Sequence, residues 1–151
     1  MDFQQNIFLI SSIIGVLISF AMISRVFTKN KGDFFLGLVV FMLAIELFFS
    51  WGARSGINNI PGIFPYWMLL NYLMIPPSIW LFVNYKADDN FQFKTLHLWL
   101  FLPALIAYIL DVWSKLASDS LIQYPAWIWF SQYLPLVGLV FVLGYFWIKY
   151  F

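Results

Sequence analysis

The chain contains no cysteine, a single histidine and few charged residues, which make up 10% of its 151 positions. Without cysteine it has no disulfide, no thiolate nucleophile and no thiolate metal ligand. Its formal net charge of +1 provides no basic surface for nucleic acid. Apolar residues, in contrast, make up 63% of the chain, which leaves too little polar surface to cover a soluble globule of this length.

Long apolar runs account for most of the sequence, and the mean hydropathy is +0.85. Each run approaches the ~20 residues that an α-helix needs to cross a bilayer. The runs cover about 7–26, 34–51, 65–85, 96–112 and 126–148. The connectors are too short to form a core of their own. We therefore expect an all-α fold in which residues 1–151 form a single transmembrane domain, a bundle of about five membrane-spanning helices.

The first run is expected to be a retained helix. A cleaved signal peptide would need basic residues before the run and a small-residue cleavage site after it. Asp2 is the only charge that precedes the run, and Arg25, Lys29 and Lys31 follow it. These basic residues favour a helix that stops in the membrane.

Basic residues also predict the orientation, because Lys and Arg favour the cytoplasmic side of short connectors. With the N-terminus outside and the C-terminus in the cytoplasm, most of them are cytoplasmic: Arg25, Lys29, Lys31, Lys86, Lys94 and Lys149. Only Arg54 and Lys115 then lie outside. Interfacial aromatic residues agree with this orientation. Those expected at the outer boundary are Trp51, Tyr66, Trp67, Trp113, Tyr124, Trp127 and Trp129.

Small residues and prolines indicate how the helices pack. Ser11, Gly15 and Ser19 follow one another at intervals of four in the first helix, a row that permits close approach by a neighbour. The later helices contain prolines at or near their middle, which are expected to kink them and to open gaps between them. These are Pro76, Pro77, Pro103 and Pro135. The gaps are either filled by apolar side chains or form a pocket.

A polar layer is predicted about 9 Å below the outer boundary, where Glu46, Asn71 and Gln132 share one depth. A carboxylate in hydrocarbon needs a partner, a proton or water, so Glu46 should face the bundle interior. Two interpretations remain open: a pocket that recognises a small ligand or proton from outside, and an interhelical hydrogen-bond clasp. The candidate ligand-binding residues are Glu46, Asn71, Gln132, Tyr72 and Tyr108.

Catalytic and metal-binding patterns are not found in the sequence. His97 and Asp111 would lie roughly 21 Å apart on one helix, too far for an acid/base or metal pair. Asp88 and Asp89 lack the further carboxylates of a magnesium site and are expected to form a solvated turn. Phosphate-binding glycine loops, HExxH and GxSxG motifs do not occur. We expect no catalytic residue, no metal and no cofactor, and hence no enzyme.

Several loose motifs resemble the membrane-embedded N-terminal sensor region of bacterial AraC-type helix-turn-helix regulators. The resemblance spans roughly residues 5–110. It consists of a basic turn after the first helix followed by DFFLGL at 33–38, Pro76-Pro77, LFVNYK at 81–86, LHL at 96–98 and Leu102-Pro103. It implies a bacterial inner-membrane receptor with a DNA-binding domain on its cytoplasmic C-terminal side. No such domain lies within these residues, so the chain is expected to be a fragment of a longer regulator or a freestanding relative.

The sequence thus predicts a multi-pass sensor domain that recognises a small signal from outside and relays it to a cytoplasmic output. Its expected partners are the lipid bilayer, a small-molecule signal, and a second copy or another membrane protein. One alternative is a non-catalytic accessory subunit of a membrane complex. A second alternative is a small transporter or channel subunit, although such a protein would need a polar route through the inner half of the membrane.

Overall fold

The computed structural model describes residues 3–25, 31–57, 71–88, 90–116, 127 and 129–150, and their regular structure is entirely helical. This confirms the all-α expectation. Helices long and apolar enough to span a membrane cover Phe3–Ser24, Lys31–Ser55, Thr95–Trp113 and Trp129–Tyr150. They correspond to the first, second, fourth and fifth predicted spans. The orientation of the termini stays a prediction.

Parts of the predicted topology lie outside the described residues. These include the beginnings of the third and fifth predicted spans, together with Asp2, Lys29, Tyr66, Trp67, Asp89 and Tyr124. The chain divides into two compact units, residues 1–70 and 71–151.

The first unit is an antiparallel pair of long helices, α1 (Phe3–Ser24) and α2 (Lys31–Ser55). Neither helix contains a proline, and both consist mainly of apolar residues, so nothing interrupts their hydrogen-bond ladders. Only Ser12 and Ser19 are buried on α1, and most of its larger apolar side chains are exposed. This is the pattern of a helix that faces lipid on most sides.

Small residues bring α1 and α2 into close contact. A Cβ atom added at Gly15 would lie 2.8 Å from the Cβ of Ala44, and one added at Gly37 would lie 2.9 Å from Cγ1 of Ile23. The hydroxyl of Ser12 donates a hydrogen bond to the carbonyl oxygen of Ala44 at 2.8 Å. Larger side chains at these positions would push the two helices apart.

The predicted small-residue row differs from the observed one at its first position. Ser12 is 2% exposed and contacts α2, whereas Ser11 is only half-buried. Gly15 and fully buried Ser19 complete the row with Ser12. Spacings of three and four residues both return to the same helix face, and the position of α2 decides which one is used.

Polar contacts join both ends of the α1–α2 pair. At one end, Nη1 of Arg54 donates to Oε1 of Gln4 at 2.8 Å, and the guanidinium lies 5.0 Å from the ring centroid of Phe8. At the other end, Nη1 of Arg25 lies 3.5 Å from Oδ2 of Asp33. These contacts hold the two helices in register.

In the described part of the second unit, three α-helices are combined with short segments of other helix types. A 3₁₀ turn, Tyr72–Met74, precedes α3 (Ile75–Ala87). A longer 3₁₀ segment, Thr95–Phe101, continues into α4 (Leu102–Leu116). A π-helical segment, Trp129–Tyr133, continues into α5 (Leu134–Tyr150).

The prolines of the predicted kinks lie where the helix type changes. Pro76 and Pro77 occupy the first turn of α3, Pro103 that of α4 and Pro135 that of α5. Proline cannot donate the i→i−4 hydrogen bond of an α-helix, and its ring crowds the preceding turn. The segment before each α-helix therefore has 3₁₀ or π geometry. The departure from α-helical geometry thus extends over a whole segment that precedes the α-helix.

The core of the second unit is small and contains short side chains. Leu73, Ala104 and Ala107 are buried together, and Met74, Trp127 and Phe130 pack against them. Gly138 of α5 approaches α3 closely, since a Cβ atom there would lie 3.1 Å from Cγ of Pro76. Alanine and glycine thus allow the helices of this unit to approach one another.

Candidate functional site

The residues of the predicted polar layer are divided between the two units. Glu46 is half-buried on α2 of the first unit. Asn71, Tyr72, Tyr108 and Gln132 belong to the second unit. A common pocket lined by all five stays a prediction.

Asn71 binds the backbone of two elements with its amide. Its Oδ1 accepts a hydrogen bond from the N–H of Leu73 at 3.2 Å, which caps the 3₁₀ turn before α3. Its Nδ2 donates to the carbonyl oxygen of Ala104 on α4 at 2.7 Å. This geometry is that of a clasp between the start of α3 and α4.

The other predicted binding residues of the second unit are more accessible. Tyr72 is half-buried beside Asn71, and Tyr108 is 44% exposed on α4. Gln132 is exposed within the π-helical segment before α5. π-Helical segments are rare in proteins, and those that occur are often at functional sites. Gln132 therefore lies in an unusual backbone segment.

A cleft of about 290 Å³ lies within the second unit, between α3, the 3₁₀ segment 95–101, the start of α4 and α5. Its walls are apolar. They consist of Leu73, Pro76, Pro77, Trp80, Leu100, Pro103, Leu134, Gly138 and Val142. Three of the four predicted kink prolines therefore line this cleft. Its volume is at the lower end of the ~300–1,000 Å³ range of ligand pockets, and its walls suit a hydrocarbon ligand.

The wall of the cleft follows from the local sequence. Leu134, Gly138 and Val142 recur at intervals of four on α5 and so share one face of that helix. Pro76 and Pro77 begin α3 opposite this face, and Pro103 begins α4. Gly138 lets α5 approach Pro76 closely, so the two helices meet at this side of the cleft.

His97 lies in a cluster of aromatic rings with Trp80, Phe91 and Phe93, here called the aromatic cluster. Its ring stacks on Phe91 with the centroids 5.3 Å apart. It meets Trp80 edge-on at 5.5 Å and Phe93 edge-on at 5.6 Å. Trp80 also forms part of the cleft wall, so the aromatic cluster and the cleft share a side chain.

A hydrogen bond defines the proton position on His97. The backbone N–H of Lys94 donates to Nδ1 of His97 at 3.1 Å. A ring nitrogen that accepts carries no proton, so the hydrogen of the neutral ring lies on Nε2. The bond caps the 3₁₀ segment that supplies Leu100 to the cleft. From the sequence, His97 was considered only as a partner of Asp111, although Phe91 and Phe93 lie close to it in the chain and were a signal of an aromatic cluster.

Lys149 and Asn84 connect α3 and α5 beyond the cleft. Asn84 is 2% exposed, and its Nδ2 donates to the carbonyl oxygen of Trp80 at 2.8 Å. Its Oδ1 accepts a hydrogen bond from Nζ of Lys149 at 3.4 Å. The ammonium group also lies 5.6 Å from the ring centroid of Tyr145 and 5.2 Å from that of Tyr150. In the sequence, Lys149 contributes only to the predicted orientation, because its contact with Asn84 joins residues 65 positions apart.

Acidic residues and histidine do not assemble into a metal site in the described part of the chain. Among the described residues, no group of three or more Asp, Glu or His side chains could hold a metal ion. Asp88 accepts a hydrogen bond from the N–H of Asn90 at 3.0 Å through its Oδ1, which forms a local turn.

Comparison with known proteins leaves the fold and the cleft as the basis for assigning a function. No family model matches the chain, and neither a curated protein nor a solved structure is similar to it.

Proposed function

We propose that this chain is the membrane-embedded recognition domain of a receptor, which binds the hydrocarbon chain of a ligand in the cleft of its second unit. The observation that carries the proposal is the cleft itself, because its apolar walls come from five helical segments of the second unit. A ligand in the cleft contacts all five, so its binding can be coupled to their relative movement.

The helix-type changes support a role in signalling. Pro76, Pro103 and Pro135 each begin an α-helix that follows a 3₁₀ or π segment. Such segments have poorer hydrogen-bond geometry than an α-helix and mark hinges in other proteins. A ligand that binds one arrangement of these segments more tightly than another shifts the population between them.

The remaining parts of the proposal concern the setting of the domain. The domain lies in a bacterial inner membrane, with its N-terminus outside and its C-terminus in the cytoplasm. An output domain of the AraC type follows on the cytoplasmic side in the complete regulator. The distribution of basic residues and the resemblance of residues 5–110 support this setting.

The test measures binding and its structural consequence together. Dibrominated stearate is added to the protein in nanodiscs, since bromine quenches tryptophan fluorescence at short range and Trp80 lines the cleft. The Trp80 signal is the difference between the protein and its Trp80→Phe variant. We expect saturable quenching of Trp80 and slower amide hydrogen exchange in residues 95–102.

Matched variants on α5 assign the effect to the cleft. Val142→Phe fills the cleft and should abolish both responses, whereas Val140→Phe adds the same bulk at a residue that is 69% exposed and should preserve them. Binding without any change in hydrogen exchange would contradict a receptor function. Loss of the responses in Glu46→Gln, with retention in Val142→Phe, would move the recognition site to the polar layer.

A further inference from the structure

The two helices that border the cleft, α3 and α5, also carry a lysine and its amide partner beyond the end of the cleft. Val142 is the last cleft residue of α5, and Lys149 follows seven residues later, about two turns and 10 Å along the same side of the helix. On α3, Trp80 of the cleft is followed one turn later by Asn84, which binds Lys149. The apolar cleft and the ammonium group are thus bounded by the same two helices.

The ammonium group of Lys149 is accessible and is positioned by neutral groups. Lys149 is exposed, and its described contacts are the amide oxygen of Asn84 and the rings of Tyr145 and Tyr150. Within the described part of the chain, no carboxylate pairs with it. Because the side chain is exposed, an anion can approach the ammonium group from outside the protein.

The surroundings add positive charge at this end of the second unit. Lys86 lies at the end of α3, and Lys94 precedes the 3₁₀ segment that contacts Trp80 through His97. Asp88 is the described acidic residue of the same connector, and it binds the N–H of Asn90. Basic pockets between membrane helices on the cytoplasmic side bind acidic lipid headgroups.

We infer that the cleft holds an acyl chain of an anionic phospholipid whose phosphate binds Lys149. The inference rests on the proposed function, because it names the ligand class of the same cleft. The apolar walls accept the chain, and the charge of Lys149 at the end of the cleft selects an anionic headgroup over a zwitterionic one. Tyr145 and Tyr150 hold the ammonium group at the level where lipid headgroups lie.

The test compares two lipids that differ only in headgroup. Dibrominated phosphatidylglycerol and dibrominated phosphatidylcholine are titrated in nanodiscs, and quenching of Trp80 is again taken as the difference from Trp80→Phe. We expect about fivefold tighter binding of phosphatidylglycerol, the equivalent of ~1 kcal/mol for one basic residue near a membrane surface. Equal binding of the two lipids would overturn the inference.

Variants separate the headgroup contact from the cleft. Lys149→Gln should abolish the preference and keep chain binding, while Lys149→Arg should retain the preference. Lys31→Gln removes the same charge from an exposed residue of the first unit and should leave the preference unchanged. If Lys149→Gln still prefers phosphatidylglycerol, this inference is overturned and the proposed function is not. Quenching by both lipids that survives in Val142→Phe would overturn the proposed function as well.

Discussion

Polar side chains in this chain bind backbone carbonyl groups of helices. Ser12 binds the carbonyl of Ala44, Asn71 that of Ala104 and Asn84 that of Trp80. The bond of Asn84 lies within α3, whereas those of Ser12 and Asn71 join separate helices, where such bonds contribute ~0.6 to 2 kcal/mol each. For Asn71, one of the residues of the predicted polar layer, the contacts therefore favour the clasp interpretation.

Asn71 and Gln132 are the two amide side chains of the predicted polar layer, and replacing them should change the free energy of unfolding by different amounts. Asn71→Leu removes the cap of the 3₁₀ turn and the bond to α4, so we expect it to lower the free energy of unfolding by about 1–2 kcal/mol. Gln132→Leu replaces an exposed amide and should change it by less than about 0.5 kcal/mol. Unfolding in mixed micelles with increasing dodecyl sulfate measures both. Equal effects would argue against a special structural role for Asn71.

The 3₁₀ and π segments of the second unit lie where a regular α-helix is interrupted. The 3₁₀ segment Thr95–Phe101 ends just before Pro103 and begins at the hydrogen bond from Lys94 to His97. The stacking of His97 on Phe91 attaches this segment to the preceding connector, and its contact with Trp80 attaches it to α3. One histidine thus fixes the start of an element that also forms part of the cleft wall.

Replacement of His97 by another ring should weaken this element. His97→Phe keeps an aromatic ring in the cluster and removes the acceptor of the Lys94 N–H. We expect the Lys94 amide to exchange its hydrogen about two- to tenfold faster, as follows from ~0.5–1.5 kcal/mol for one hydrogen bond. Exposed Thr95, in the same segment, provides the control Thr95→Val, which leaves the bond intact. An unchanged exchange rate in His97→Phe would show that the bond does not hold the segment.

Contacts within the second unit show the direction of its helices. Pro76 meets Gly138, and Asn84 meets Lys149, so α3 and α5 run parallel. His97 contacts Trp80, and Ala104 contacts Asn71, so the helical stretch from Thr95 through α4 runs antiparallel to α3. This alternation is the one that the five-span topology predicts for spans three to five.

Reporter fusions test the topology of the whole chain. Alkaline phosphatase is active only outside the cytoplasm, and green fluorescent protein fluoresces when it is fused inside. We predict green fluorescent protein signals for fusions after residues 30, 90 and 151, and phosphatase activity for fusions after residue 57. Fusions after residues 30 and 57 that report the same compartment would contradict a membrane-spanning α2.

The sequence allowed the helical class and the approximate helix positions to be predicted, because the length and hydropathy of each run are local properties. It also indicated that prolines would leave gaps, since the missing N–H is a property of the residue. It did not reveal the role of Ser12 in place of Ser11, because that choice depends on where α2 lies. The third predicted span and the polar layer stay predictions.

The composition and order of the residues by themselves determined a chain of apolar helices with small residues in α1 and prolines in the later helices. Only the tertiary structure decided that three of the four prolines line a common cleft, that His97 belongs to the aromatic cluster and that Lys149 binds Asn84. Each of these arrangements joins residues from separate elements. Which faces of two helices meet depends on the packing of all their side chains, and this information is not contained in any single stretch of sequence.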